Sequence, residues 1–435
     1  MRKSVIIALT LAGILHCSAA EPWSLDSCIT YAVEHNLSVK QSRLSHYEGE
    51  LQLTEAKDAF LPTVNAYGQE SFSFGRGLTA DNTYANRNTT STSLGASLNL
   101  PLFQGLRATR RVAQAKANLA QLLEQTEATK DNVTLQVIAQ YLQVLYTREL
   151  VEVAQGQVAL SEVELKRREE LFDAGRIPEL DLAETRSQLS QDRYSLVSAQ
   201  GQARLALLDL AQLLEIDTTT PVGSEFDIAP LNPDLTAEIP DAAAVWAHAE
   251  QKNHTIEAAR LSIATADKSI SLAKAGYLPS LSFSAGLGSS YYSMAGVKSE
   301  SFGGQMRHNF NQSLGFSLSI PIFDAFSTRN SVRRAKAGRL SAELSLERAM
   351  TETEKAIMQA HTQAITAREK MAASADAENH AYAALLAVQE KYNFGRATPT
   401  EFEQAKTNYA RAAADAVQAK YEHLLRIRIL EFYQR

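Results

Sequence analysis

The chain has 435 residues, of which 43 are Lys or Arg and 49 are Asp or Glu, giving a formal net charge of −6. That length allows two or three ordinary domains, and the mild acidity argues against a nucleic-acid binder or a basic membrane-surface protein. Only two cysteines are present, too few for a disulfide scaffold, so packing has to hold the fold.

The first twenty residues read MRKSVIIALTLAGILHCSAA. Arg2 and Lys3 precede an apolar run from Val5 to Leu15, and Ser18 and Ala20 put small residues at the positions a signal peptidase reads. Residues 1–20 are therefore expected to be a signal peptide cut after Ala20. A retained anchor would need roughly 18 to 20 apolar residues, more than this run supplies. Acylation on Cys17 is the other reading, with His16 beside it a poor fit to a lipobox. Once Cys17 is removed, Cys28 stands alone and no intramolecular disulfide can form. No later apolar run could span a bilayer as a helix, since even Val133–Leu145 carries Gln136, Gln140 and Gln143. Any membrane crossing falls to strands.

The remaining sequence is written twice. Ala56-Lys57-Asp58-Ala59-Phe60-Leu61-Pro62 returns as Ala273-Lys274-Ala275-Gly276-Tyr277-Leu278-Pro279. Ser93 to Phe103 returns as Ser313 to Phe323, Ala115-Lys116-Ala117 as Ala335-Lys336-Ala337, and Phe172 to Arg176 as Tyr392 to Arg396. Residues 21–217 form the first repeat, read as helix, strand pair, long helix, turn and helix, and 241–435 form the second. Between them lies a linker, 218–240, where Pro221, Pro230, Pro233 and Pro240 break any helical period. Its apolar Phe226, Ile228 and Leu231 would suit packing against helices, whereas connections of this length usually run over the surface.

The strand regions fall at about 61–104 and 278–324. Leu94, Ala96, Leu98 and Leu100 alternate with Ser93, Gly95, Ser97 and Asn99, while Leu314, Phe316, Leu318 and Ile320 alternate with Ser313, Gly315, Ser317 and Ser319. Leu281 to Gly288 repeats the pattern, and Thr63 to Phe74 keeps it more loosely. The polar face is small and uncharged, and the segments 75–90 and 291–309 read as long polar loops. Four strands per chain cannot close a barrel, because the smallest membrane barrels use about eight. An open edge in lipid would leave backbone groups unsatisfied, so several copies would have to pool their strands.

Leu106 to Asp173 contains no proline and only Gly156, and Ser327 to Asn393 is equally long. Each segment predicts one helix of roughly 100 Å at about 1.5 Å per residue, a length that calls for coiled-coil packing. Val133, Val137, Tyr141 and Val144 mark a narrow apolar stripe, and Ala410 to Ala419 allows close approach of a neighbour. Trp23 and Trp246 open equivalent helices in the two repeats and read as packing anchors.

Taken together, these blocks resemble the TolC outer-membrane efflux family. The resemblance rests on Ala56–Pro62 and Ala273–Pro279, on Leu100-Pro101-Leu102-Phe103 and Ile320-Pro321-Ile322-Phe323, and on the Gly175 and Gly395 turns, and it covers the whole mature chain. It implies a mainly α protein with membrane β structure: an internally duplicated long-helix protomer of a homotrimer. Its α-helical barrel would be continuous with a 12-stranded outer-membrane β-barrel. It also implies a passive exit duct for efflux or type I secretion, helices projecting into the periplasm, and as partners a periplasmic adaptor, an inner-membrane transporter and outer-membrane lipid.

The family closes its periplasmic end just past the two glycine turns. By that resemblance Asp181 falls on the constriction aspartate and Tyr392 on its tyrosine partner, with Glu184, Glu401 and Gln404 at the neighbouring pore positions. Glu401 and Gln404 each stand where the family has an aspartate, and the expected arginine is Ala397, with Arg396 one place early. Three carboxylates converging on an axis would repel one another and favour cations in the pore mouth. The same acids also fit plain helix starts, since Pro178 and Pro399 suit first helical positions and Thr398-Pro399-Thr400-Glu401 is a capping-box pattern.

No nucleotide-binding loop, hydrolase elbow or zinc-protease motif occurs, and the scattered histidines lack ligand spacing, so neither enzyme activity, metal nor cofactor is expected. Glu162 to Arg168 alternates in sign like a solvated helix face. The competing reading is an exported coiled-coil structural or adaptor-like protein without a pore.

Overall fold

The computed structural model describes residues 22–78, 82–86, 88–217, 226–231 and 238–434. The expected signal peptide, Cys17, and Pro221 and Pro233 of the linker lie outside them. Helices α1 (Leu25–His35) and α2 (Leu37–Asp58) are followed by β1 (Thr63–Ser73), β2 (Arg76–Leu78), β3 (Tyr84–Asn86) and β4 (Thr89–Gln104). Then come α3 (Arg107–Asp173) and α4 (Glu179–Leu213). The second series runs α5 (Ala242–Lys252), α6 (His254–Ala273), β5 (Ser280–Met294), α7 (Phe302–His308), β6 (Asn311–Ser319), α8 (Ser327–Asn393) and α9 (Pro399–Tyr433). Both α3 and α8 are 67 residues long, as the proline-free runs foretell.

Two compact units emerge. One gathers the chain up to Gln41 with Ala128–Glu250 and Thr353–Arg435; the other gathers Ser42–Glu127 and Gln251–Glu352.

In the helical unit, the predicted stripe Val133, Val137, Tyr141 and Val144 is buried, packed with Cys28, Ala32, Leu210 and Leu214. Trp23 meets the rings of Tyr31 and Phe226 edge-on, and Trp246 packs on Val245, Ala249 and Ile357. Of the two readings of the linker, residues 226–231 take the packed one. Ile228 is buried and pairs with Trp23 in a parallel bridge, and the Tyr141 hydroxyl donates to the Ala229 carbonyl at 2.6 Å. Backbone bonds between Trp23, Asp227 and Ala229 complete the seam, so these linker carbonyls and amides find partners without water.

The second unit holds an antiparallel sheet in the order β1-β4-β5-β6. Each of the four strands starts or ends close to its expected position, but β4 and β5 run further. Thr89 to Thr92 pairs with Tyr291 to Met294 across them, with Thr92 opposite Tyr291 a β-branched residue against an aromatic one, which consumes part of both expected loops. The rest of those segments also departs from a plain loop, carrying the β2–β3 hairpin and helix α7. On the unpaired side of β5, the Gln305 side chain accepts from the Tyr292 amide and donates to the Tyr292 carbonyl, each at 2.9 Å, in place of a strand. Tyr67 lies so close over Gly95 that a Cβ there would come within 2.7 Å of it, which selects glycine at that position. The opposite face is apolar and uncovered: Leu314 is 77% and Phe316 72% exposed.

Both long helices begin with two successive residues in the left-handed region, Gly105 and Leu106 before α3 and Ala325 and Phe326 before α8. Gly105 is required there twice over, because a Cβ would also meet Leu278 at 2.7 Å and the Ala275 carbonyl at 2.9 Å.

Candidate functional site

Each pair of long helices turns on a glycine. Gly175 has φ +68° and Gly395 φ +70°, and nothing else crowds either position, so the backbone angle alone selects glycine. Arg176 N–H donates to the Leu171 carbonyl and Gly175 N–H to Phe172, while Arg396 and Gly395 repeat this onto Lys391 and Tyr392. These are two copies of one Schellman stop, which satisfies the last carbonyls of α3 and α8.

The helices that restart beyond them are capped differently. On α9, Thr398 and Glu401 form a full capping box: the Thr398 amide donates to the Glu401 carboxylate at 2.6 Å and the Glu401 amide to the Thr398 hydroxyl at 3.2 Å. That bond from the Thr398 backbone holds the exposed Glu401 carboxyl below the usual range. On α4, the cap residue Pro178 has no side-chain bond to give, and Glu179 and Asp181 sit free of the cap in the first turn. A helix N-terminus favours such acids through its dipole.

Between α3, α4, α8 and α9 lies a cleft of about 290 Å³ whose lining includes Glu164, Arg168, Asp181, Glu184, Tyr392 and Phe402. Arg168 is its hub. Its Nε donates to Glu164 at 2.8 Å, Nη1 to Asp181 at 3.4 Å, and Nη2 to the Tyr392 hydroxyl, which itself donates to Glu164. The Tyr392 ring stacks on Phe402 with centroids 5.1 Å apart. Burial, followed by the Glu164 carboxylate, pushes the Tyr392 phenol up to about 12. Burial opposes the charge on Arg168, but its bonds to Glu164 and Tyr392 outweigh this and hold the guanidinium above its ordinary value.

Of the residues named from sequence, Asp181 and Tyr392 thus meet on one guanidinium, not on each other. Glu184 lines the same cleft, whereas Glu401 is held in its cap and Gln404 donates to Asn408 on its own helix, at 3.0 Å. Glu164 and Arg168 correct the reading of Glu162–Arg168 as a solvated face, since both are buried. The available signal was the stripe itself: Val144, Thr147, Val158, Ser161 and Arg168 continue it at helical spacing, and all are buried. Among the described residues no group of His, Cys, Asp or Glu has the arrangement to hold a metal ion.

The fold and these turns can be set beside known proteins. The outer membrane efflux protein family matches residues 29–215 and 246–428. The outer membrane efflux protein BepC of Brucella suis is 23% identical over 424 residues, covering 97% of this chain and 87% of that protein. Outer membrane protein TolC of Escherichia coli is also 23% identical, covering 97% of this chain and 83% of its own length. Among solved structures, the Campylobacter jejuni CmeC outer membrane channel superposes with a TM-score of 0.77 at 16% identity, over 94% of this chain and 85% of that one. With residues 29–215 and 246–428 matched, most of the chain, it belongs to the outer membrane efflux protein family.

Proposed function

We propose that this chain is one protomer of a trimeric outer-membrane exit duct, with its helices on the periplasmic side, a passive conduit gated at the Gly175 and Gly395 turns. The observation that carries the reading is the sheet: β1 and β6 are each paired on one side only, and the apolar face is bare. No helix among the described residues is long and apolar enough to cross a membrane. Such a sheet is stable in lipid only when other copies supply the missing edges, and three copies of four strands suffice for a closed cylinder. A periplasmic adaptor and an inner-membrane transporter would supply selection and energy, and the duct itself performs no chemistry on its cargo.

The tip geometry supports such a gate. In the closed state Arg168 ties α3 to α4 through Asp181 and to α8 through Tyr392, and Asp181 and Glu184 place negative charge at the mouth, which favours cations. Opening breaks the Asp181 contact first, because that is the longest and most exposed bond of the hub. The test is purification from the outer-membrane fraction, followed by light scattering in detergent and planar-bilayer recording. A trimer with discrete conductance steps is expected; a monomer recovered without detergent would overturn the reading.

A further inference from the structure

Lys406 lies on α9 one turn beyond Phe402 and is only 1% exposed. Its ammonium donates to the Ser161 hydroxyl of α3 at 2.7 Å and to the Asp192 carboxylate of α4 at 3.0 Å, with Glu403 of its own helix 2.8 Å away. Ser161 donates to the same Asp192 oxygen, and Gln188 donates to the other at 3.0 Å. Three helices meet on one buried cation.

The energetic logic is all-or-none. An ammonium taken out of water without acceptors is heavily penalised, and here it donates to Ser161 and Asp192 while the Glu403 carboxylate lies in ion-pair contact. Removing Asp192 or Ser161 leaves the buried Lys406 ammonium short of a partner. Ser161 stands on the face of α3 that carries Glu164 and Arg168, and Asp192 follows Asp181, Thr185 and Gln188 along one face of α4. Gln188 and Glu403 also line the tip cleft, so the lysine cluster and the Arg168 hub flank a single cavity. Between them α9 contributes Phe402, held by stacking on Tyr392. Apolar layers of this kind hold by area and tolerate sliding, whereas a directional charged cluster is either made or broken.

We infer that Lys406 is a second fastening of the gate: a positioning residue that pins α9 to α3 and α4 in the closed state and releases them on opening. The inference rests on the gated-duct reading. It is tested with full-length trimers in planar bilayers, comparing the parent, Lys406→Met, and Lys406→Met combined with Asp192→Leu. Replacing a buried ion pair by apolar residues of similar volume generally preserves stability. The double variant should therefore recover the parent melting temperature. Its open fraction should nevertheless stay raised, as in Lys406→Met, by about tenfold or more, since charged hydrogen bonds have been lost. A cluster that only stabilises the bundle would return the open fraction to the parent value together with the melting temperature, and that result overturns the assignment. Should Lys406→Met fail to assemble, Ser161→Ala removes one hydroxyl and must raise the open fraction in the same direction. A parent trimer that never conducts defeats the duct reading and this inference with it; a conducting parent with unmoved variants defeats this inference alone.

Discussion

The guanidinium of Arg167 lies 4.5 Å from the centroid of the Tyr392 ring and donates to the Tyr392 carbonyl at 3.1 Å, while its neighbour Arg168 takes the hydroxyl of the same tyrosine. Two consecutive residues of α3 therefore grip the ring and the backbone of the last turn of α8. A cation over an aromatic face adds to hydrogen bonding when both groups are shielded from water.

This grip ranks the tip residues. Arg168→Met leaves the buried Glu164 carboxylate without its cation and should cost roughly 3–5 kcal/mol of unfolding free energy. Tyr392→Phe removes one hydroxyl from the same cluster and should cost about 1–2 kcal/mol. Asp181→Ala breaks only a long, partly exposed contact and should cost well under 1 kcal/mol. Denaturant titration of the helical signal in detergent checks the order. In the bilayer, Asp181→Ala with Tyr392→Phe should raise single-channel conductance, and unchanged conductance would remove both residues from the gate.

Alkaline pH should attack the same unit. Burial pushes the phenols of Tyr392 and Tyr141 up to about 12, against an ordinary value of 10.0. The folded state thus keeps protons that the unfolded chain gives up. This stability is fully present below pH 10 and is lost as the pH rises through 12. Circular dichroism should show the helices melting in that window, with tyrosinate absorbance rising in step with unfolding and not before it. Tyr392→Phe should weaken the pH dependence, and a parent-like profile in that variant would show that Tyr392 does not set it.

Cys28 offers a cleaner probe of the core. Its thiol is fully buried among Ala32, Val137 and Leu210, and burial pushes its pKa up to about 12. A thiolate is the reactive species, so maleimide labelling of the native trimer should be negligible at neutral pH and complete in denaturant. Rapid native labelling would mean that α1 opens locally away from α3.

Legibility in the sequence followed period and punctuation. The uninterrupted runs ending at Asp173 and Asn393 disclosed both long helices, because proline and glycine are what stop a helix. The alternation of Leu314, Phe316 and Leu318 disclosed a strand with one apolar face, which the structure leaves uncovered. Arg168 and Glu164 stayed hidden because a charge on a helix reads as solvated until the neighbouring helix is known. The i, i+4 spacing that joins them is the same one that marks an ordinary surface pair. Lys406 was obscured for the same reason, since its partners Ser161 and Asp192 lie on two other helices far away in sequence. Ile228 could be named as a packing residue but its partner could not, because a proline-rich segment carries no period from which its pairing with Trp23 could be read.

The two candidate acids just beyond the glycines can be separated by their caps. Glu401 receives the Thr398 backbone bond and returns its own amide to the Thr398 hydroxyl, so its carboxylate is already used within one turn. Thr398→Ala should therefore destabilise the start of α9 by about 1 kcal/mol without changing conductance. Glu401→Gln keeps an oxygen able to accept from Thr398 and should be close to silent in both respects. Asp181 makes no cap, so Asp181→Asn should leave stability nearly unchanged while lowering the cation preference of the mouth, read as a shift in reversal potential under a salt gradient. If Glu401→Gln shifted the reversal potential as far as Asp181→Asn does, the capping box would not be what occupies Glu401, and both acids would belong to the charged ring.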